Sequence, residues 1–170
     1  MEYNNPSLLI KELNFGEDAK SKIGAGVEKL ARAVKSTLGA SGKCVVYEDA
    51  LGKPVITKDG VTVAESVVLY DPVENIGATL IKEAAKNTVK EAGDGTTTAT
   101  VLAESLLKTV KNKENGSVST RDIKNGVNSG LEKVNNYLES VKIDVDEETL
   151  INVASISCNN DAELGKIIAD

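Results

Sequence analysis

The sequence predicts a mainly helical fold with one small β-hairpin, on three observations. Apolar residues recur at steps of three and four through four long windows, the signature of amphipathic helices. One pair of β-rich runs is separated by a short glycine-containing link, the signature of a hairpin. With one Phe, four Tyr and no Trp in 170 residues, any core must be aliphatic.

The elements follow in order. Leu8–Ile10 and Leu13–Phe15 are short apolar runs, each a candidate strand. A helix is predicted over Asp18–Leu38, with Ala19, Ile23, Val27, Leu30, Ala31, Val34 and Leu38 on one face and Gly39 just past its end. Gly24 and Gly26 each weaken it by about 1 kcal/mol relative to Ala, but let another helix approach. Residues 43–57 read as the hairpin, turning through Asp49–Lys53. Val61–Val63 suits a third strand or the opening of a helix. Asp71, Pro72 and Glu74 give an N-cap, a proline at N1 and an acid at N3, so a helix runs over Pro72–Glu91. Its apolar positions are Leu80, Ile81, Ala84, Ala85 and Val89. Another is predicted over Thr96–Lys111, with Ala99, Leu102, Ala103, Leu106, Leu107 and Val110 as its apolar face. Thr120–Ser140 carries the stripe Ile123, Val127, Leu131, Val134, Leu138 and Val141. Asp146 caps a shorter helix, and Asp161 opens a last one.

Composition bounds the function. A net charge of −6 disfavours nucleic acid as a partner, because phosphate backbones demand basic patches. No apolar run approaches the ~18 residues of a membrane span. The N-terminus lacks the basic start of a signal or transit peptide, so a cytoplasmic location is expected. Cys44 and Cys158 are far apart and read as reduced thiols. The absence of histidine removes histidine-based catalysis and most zinc sites.

The most informative stretch is Gly93-Asp94-Gly95-Thr96-Thr97-Thr98. A glycine turn feeding a helix N-terminus presents unpaired N–H groups and a positive dipole end, where phosphate binds. The threonine hydroxyls add donors. Asp94 can hold a divalent cation that bridges phosphates, since Mg²⁺ takes one or two carboxylates and fills its shell with phosphate and water oxygens. Lys58 and Asp59, taken alone, read as an exposed turn with an ion pair.

Three segments resemble the chaperonins, and specifically group I: Thr37-Leu38-Gly39-Ala40-Ser41-Gly42-Lys43, Ile56-Thr57-Lys58-Asp59-Gly60-Val61-Thr62-Val63-Ala64, and Gly93-Asp94-Gly95-Thr96-Thr97-Thr98-Ala99-Thr100-Val101-Leu102-Ala103. The resemblance runs from about Asn14 to the end of the chain. It implies an equatorial-domain-like helical bundle over residues 1–142, the N-terminal segment of an ATP-binding domain, and the start of an intermediate hinge domain over 143–170. It implies ATP and Mg²⁺ as ligands, with K⁺ a further candidate ion. Thr37, Leu38, Gly39, Ala40, Lys58, Asp94, Gly95, Thr96, Thr97 and Thr98 would contact the nucleotide, Asp94 would ligate the metal, and Asp59 would support catalysis near the γ-phosphate. The family's proline and basic residue are replaced by Ala40 and Ser41, which removes a fixed φ and a charge from that loop.

The implied activity is ATP hydrolysis that drives assisted folding of unfolded polypeptides. The implied partners are copies of the chain in paired seven-membered rings and a co-chaperonin lid, with no nucleic acid and no membrane. Chaperonin subunits are about three times this long. The apical domain, the second equatorial segment and the family's main catalytic aspartate have no counterpart here. A truncated chain with weak or no ATPase of its own is therefore expected. The alternative is a shortened homologue that interacts with or modulates other subunits without hydrolysis.

Overall fold

A computed structural model describes residues 13–39, 41–113, 118–158 and 161–170. Among them are seven helices and one hairpin: α1 (Gly16–Lys35), β1 (Val45–Glu48), β2 (Pro54–Thr57), α2 (Gly60–Ser66), α3 (Pro72–Ala92), α4 (Thr96–Lys113), α5 (Thr120–Val141), α6 (Glu147–Ser157) and α7 (Ala162–Ala169). The chain divides into two compact units, Met1–Ser117 and Val118–Asp170.

In the first unit, α1 packs on α3 and α4, and α2 closes over them. The core is Val27, Leu30 and Val34 of α1, Val63 and Ala64 of α2, and Ala78 and Ile81 of α3. Two glycines set the α1–α3 distance. A Cβ on Gly26 would lie 1.8 Å from the Glu74 carbonyl oxygen, and one on Gly77 would lie 2.1 Å from that of Ile23. The close approach expected of the α1 glycines is thus made by Gly26, whereas a Cβ on Gly24 would meet only the Lys111 ammonium, at 3.8 Å.

Several expectations are corrected. The first helix stops at Lys35, and two hydrogen-bonded turns, Thr37 N to Val34 O and Leu38 N to Lys35 O, carry the chain onward. Gly39 has φ +78° but lies beyond the cap residue Ser36, inside the loop. Of the two alternatives for Val61–Val63 the helix is the one that forms, within α2, because Asp59 caps it there. Leu13–Phe15 precedes α1 without regular structure, and Leu8–Ile10 lies outside the described residues. The largest correction concerns α4. Its buried residues are Thr96, Thr100 and Glu104, while Leu102, Leu106 and Leu107 are exposed; of the expected apolar face, Ala103 does pack against the core. The buried stripe is polar and satisfies itself: Thr100 donates its hydroxyl to the Thr96 carbonyl, 2.9 Å away.

The hairpin is antiparallel, with Val45 opposite Thr57 and Glu48 opposite Pro54. Its turn is built by Asp49, whose Oδ1 accepts from the N–H groups of Leu51 and Lys53, and by Gly52 at φ +79°. Val46 and Ile56 face solvent. Cys44 and Cys158 are free thiols, as expected.

In the second unit α6 packs on α7. Gly165 permits it, since a Cβ there would lie 2.6 Å from the Ser155 Cα. The helices start on side-chain caps: Ser119 for α5, Asp146 for α6 and Asp161 for α7. No helix among the described residues is long and apolar enough to cross a membrane.

Candidate functional site: a meeting of helix ends

The glycine turn forms as its sequence dictates. Gly93 ends α3 in the left-handed region at φ +77°, donating its N–H to the Val89 carbonyl at 2.8 Å. Gly95 follows at φ +91°, and α4 starts at Thr96. The first α-helical bond of α4 runs from Ala99 N to Gly95 O. The N–H groups of Thr96, Thr97 and Thr98 therefore lack intrahelical acceptors, at the positive end of an 18-residue helix. No acidic residue occupies that first turn. Where α3, α5, α6 and α7 place their own carboxylates, α4 leaves room for an external anion.

Two further segments reach the same place. Gly60 is the first residue of α2 and is buried. A Cβ there would lie 2.2 Å from Thr97 Oγ1 and 3.4 Å from Val34 Cγ1. The end of α1, the start of α2 and the start of α4 are thus in contact, and only a glycine allows the approach. The loop after α1 is folded back on itself. Thr37 Oγ1 donates to Val34 O at 2.8 Å, Gly42 N donates to Gly39 O at 2.9 Å, and Lys43 N donates to Ser36 O at 2.8 Å. Leu38 and Gly39 are exposed, and Ala40 lies outside the described residues.

The charged candidates stand differently. Asp94 is exposed; its Oδ1 accepts from Gly95 N at 2.6 Å. A carboxylate has about four lone-pair positions, so one backbone bond leaves capacity for a cation. Among the described residues no three acidic or thiol side chains cluster to hold a metal. The donor set therefore fits an ion that brings most of its oxygens with it, as Mg²⁺ does with phosphate and water. Lys58 is exposed. The contacts that join the loops run through Gly60, Thr97 and Val34, not through Lys58 or Asp94.

The Asp59 carboxylate is engaged by its own helix rather than by Lys58. Oδ2 accepts from Thr62 N at 2.8 Å and from the Thr62 hydroxyl at 2.6 Å, and Oδ1 accepts from Val61 N at 3.3 Å. Partial burial works to raise its pKa, but the Thr62 hydroxyl and the two backbone donors prevail and hold it below the ordinary 3.8. This capping role was hidden behind the Lys-Asp-Gly signature. An aspartate followed by a short apolar helical stretch was the signal for it.

Sequence reasoning also missed Glu104. It is buried, with Oε1 2.7 Å from Lys108 Nζ and Oε2 2.9 Å from Lys35 Nζ. The Lys108 hydrogen bond is the main influence lowering its pKa; burial opposes it, and Lys35 adds to it. Its i,i+4 spacing from Lys108 and from the Thr96–Thr100 stripe was the available clue.

These helix ends, their loops and the order in which they occur define a family. The chain matches the TCP-1/cpn60 chaperonin family over residues 30–170 and belongs to it. Among solved structures it is similar to the chaperonin gp146 of the bacteriophage EL 2 (Pseudomonas aeruginosa), determined in the presence of ATP-BeFx. The two are 31% identical with a TM-score of 0.77, over 91% of this chain and 27% of the phage protein. The chain therefore spans about a quarter of the length of that relative.

Proposed function

We propose that this chain forms the first nucleotide-binding portion of an ATP-driven chaperonin that assists protein folding. The observation that carries this reading is the contact of Gly60 with Thr97 and Val34, which gathers three chain segments around the open N–H groups of α4. An anionic phosphate would sit on the N–H groups of Gly95–Thr98. Thr37, Leu38, Gly39 and Ala40 would contact the nucleotide from the α1 side and Lys58 from the hairpin side. Asp94 would hold Mg²⁺, which neutralises phosphate charge when bound, and K⁺ is a further candidate ion. Asp59 would act beside the γ-phosphate while it caps α2, as a support and not as the principal catalytic group. Residues 1–142 would belong to the equatorial domain and 143–170 to the hinge, a division drawn after α5 rather than between the compact units. The assembly would be paired seven-membered rings with a co-chaperonin lid, acting on unfolded clients in the cytoplasm.

The test is Asp94→Ala in the complete protein. Mg-ATP turnover should be abolished, because the cation loses the Asp94 carboxylate, while the melting temperature stays unchanged for so exposed a side chain. Turnover at the wild-type rate would refute the assignment. The isolated 170-residue chain should show weak or undetectable ATPase activity. The second reading is a non-hydrolysing interaction protein, favoured by a hairpin that pairs with no third strand among the described residues and by its exposed Val46 and Ile56. Deleting residues 44–56 separates hydrolysis from assembly: light scattering should report monomers with most helix content retained.

A further inference from the structure

We propose that Glu104 is a positioning residue that fixes the loop after α1 by clamping Lys35, the residue at which that helix ends. This rests on the nucleotide reading of the loop. Lys35 is followed directly by Ser36–Gly39, and its carbonyl accepts from Leu38 N at 3.2 Å, so the lysine is part of the loop's foundation. Glu104 reaches it from α4, eight residues after Thr96, across 69 residues of sequence. The Glu104 side chain is 6% exposed, whereas those of its partners Lys35 and Lys108 are half-exposed. The buried carboxylate therefore dictates where the lysines go, and not the reverse.

The location on the interface decides what the clamp does. α1 and α4 run antiparallel, with Val34 near Thr97 through Gly60 at one end and Gly24 near Lys111 at the other. Toward the second end a groove of about 300 Å³ separates the helices, lined by Ser21, Gly24, Glu28, Leu107 and Lys108, with Glu104 on its loop-side wall. Packing there is incomplete, whereas nearer the loop the Lys35–Glu104 bond ties α1 to α4 beside the contact of Val34 and Thr97 with Gly60. Lys108 completes the charge balance of Glu104, and its other partner, Glu28 at 3.5 Å, faces the groove and not the loop. The two lysines therefore share one carboxylate and differ in what they are attached to.

That difference supplies the experiment, run on the complete protein with Glu104→Gln, Lys35→Met and Lys108→Met. Without nucleotide, exchange of the Leu38 and Lys43 amide hydrogens should quicken about tenfold in Glu104→Gln and Lys35→Met, as local opening becomes easier, and stay within about twofold of wild type in Lys108→Met. The Kd for Mg-ATP should rise about tenfold in the same two variants only. Equal exchange in all three variants, whatever their melting temperatures, overturns the inference. So does an effect confined to Lys35→Met, which would make that lysine act independently of Glu104. Lys35 is half-exposed, so its variant folds even if Glu104→Gln does not. A wild-type protein that binds no nucleotide would overturn the proposed function instead, and the exchange pattern alone would then decide the role of Glu104.

Discussion

The two compact units use the same local devices and reach different degrees of burial. Both start helices on aspartate caps: Asp59 and Asp71 in the first, Asp146 and Asp161 in the second. Both use a glycine to bring helices close, Gly26 and Gly77 in one and Gly165 in the other. Yet the first encloses Leu30, Val34 and Val63 completely, while α5 of the second buries nothing over 22 residues. Its stripe of Leu131, Val134, Leu138 and Val141 is as regular as that of α1, and about half exposed at each position. An amphipathic pattern specifies a helix and a face. Burial needs a partner for that face, which α1 finds in α3 and α4.

Four substitutions break or sharpen this contrast, in decreasing order of effect. Gly26→Val places side-chain carbon where the Glu74 backbone stands, and neither helix can yield without opening the core. The cost should exceed about 3 kcal/mol, seen as loss of cooperative thermal unfolding by circular dichroism. A normal transition would mean that the α1–α3 contact does not hold the unit together.

Gly60→Ala meets a side chain, Thr97 Oγ1, which can rotate away. Stability should fall by about 1–3 kcal/mol, and nucleotide affinity by about tenfold, as the starts of α2 and α4 separate. Calorimetric titration with Mg-ATP tests this, and unaltered affinity would detach Gly60 from the site.

Asp59→Ala should cost about 1 kcal/mol at pH 7 through lost capping, and should slow hydrolysis more than it weakens binding. The folded-state pKa lies below the unfolded 3.8, so the charged cap contributes fully above 3.8 and its contribution fades as pH falls through the folded value. Urea melts of wild type and variant should therefore converge as the pH drops below 3.8. A gap that widened in acid would contradict the capping geometry.

Leu138→Asp, on the bare stripe of α5, should change stability by less than about 0.5 kcal/mol and raise solubility. A large drop in melting temperature would show that this face is covered in solution.

Most of the fold was legible in the sequence, because caps, glycine stops and apolar steps act locally. Asp71-Pro72 placed the start of α3, and the turn residues Asp49 and Gly52 placed the hairpin. The buried face of α4 was only partly legible. Apolar spacing included Ala103, which packs against the core, but it also pointed to Leu102, Leu106 and Leu107, which are exposed, and missed the buried Thr96, Thr100 and Glu104, whose polar atoms are satisfied by the helix itself and by two lysines. Only the tertiary arrangement supplies Lys35 to Glu104. Of the candidate site, the glycine turn was evident from residue types alone. The contact that joins it to α1 and α2 depends on Gly60, which in sequence is one glycine among fourteen.

The Lys35–Glu104 bond also has a cost in time. Its partners are 69 residues apart, and the helix bearing Lys35 is completed long before α4 exists. At ~5–20 residues per second of synthesis, the interval is roughly 3–14 s. During it Lys35 has no carboxylate on α4 to meet, whereas α6 and α7, joined by a few residues, can meet almost as soon as they are made. A chain from a family of folding helpers thus carries, at the end of its own first helix, a charge that must wait for its buried partner to be translated.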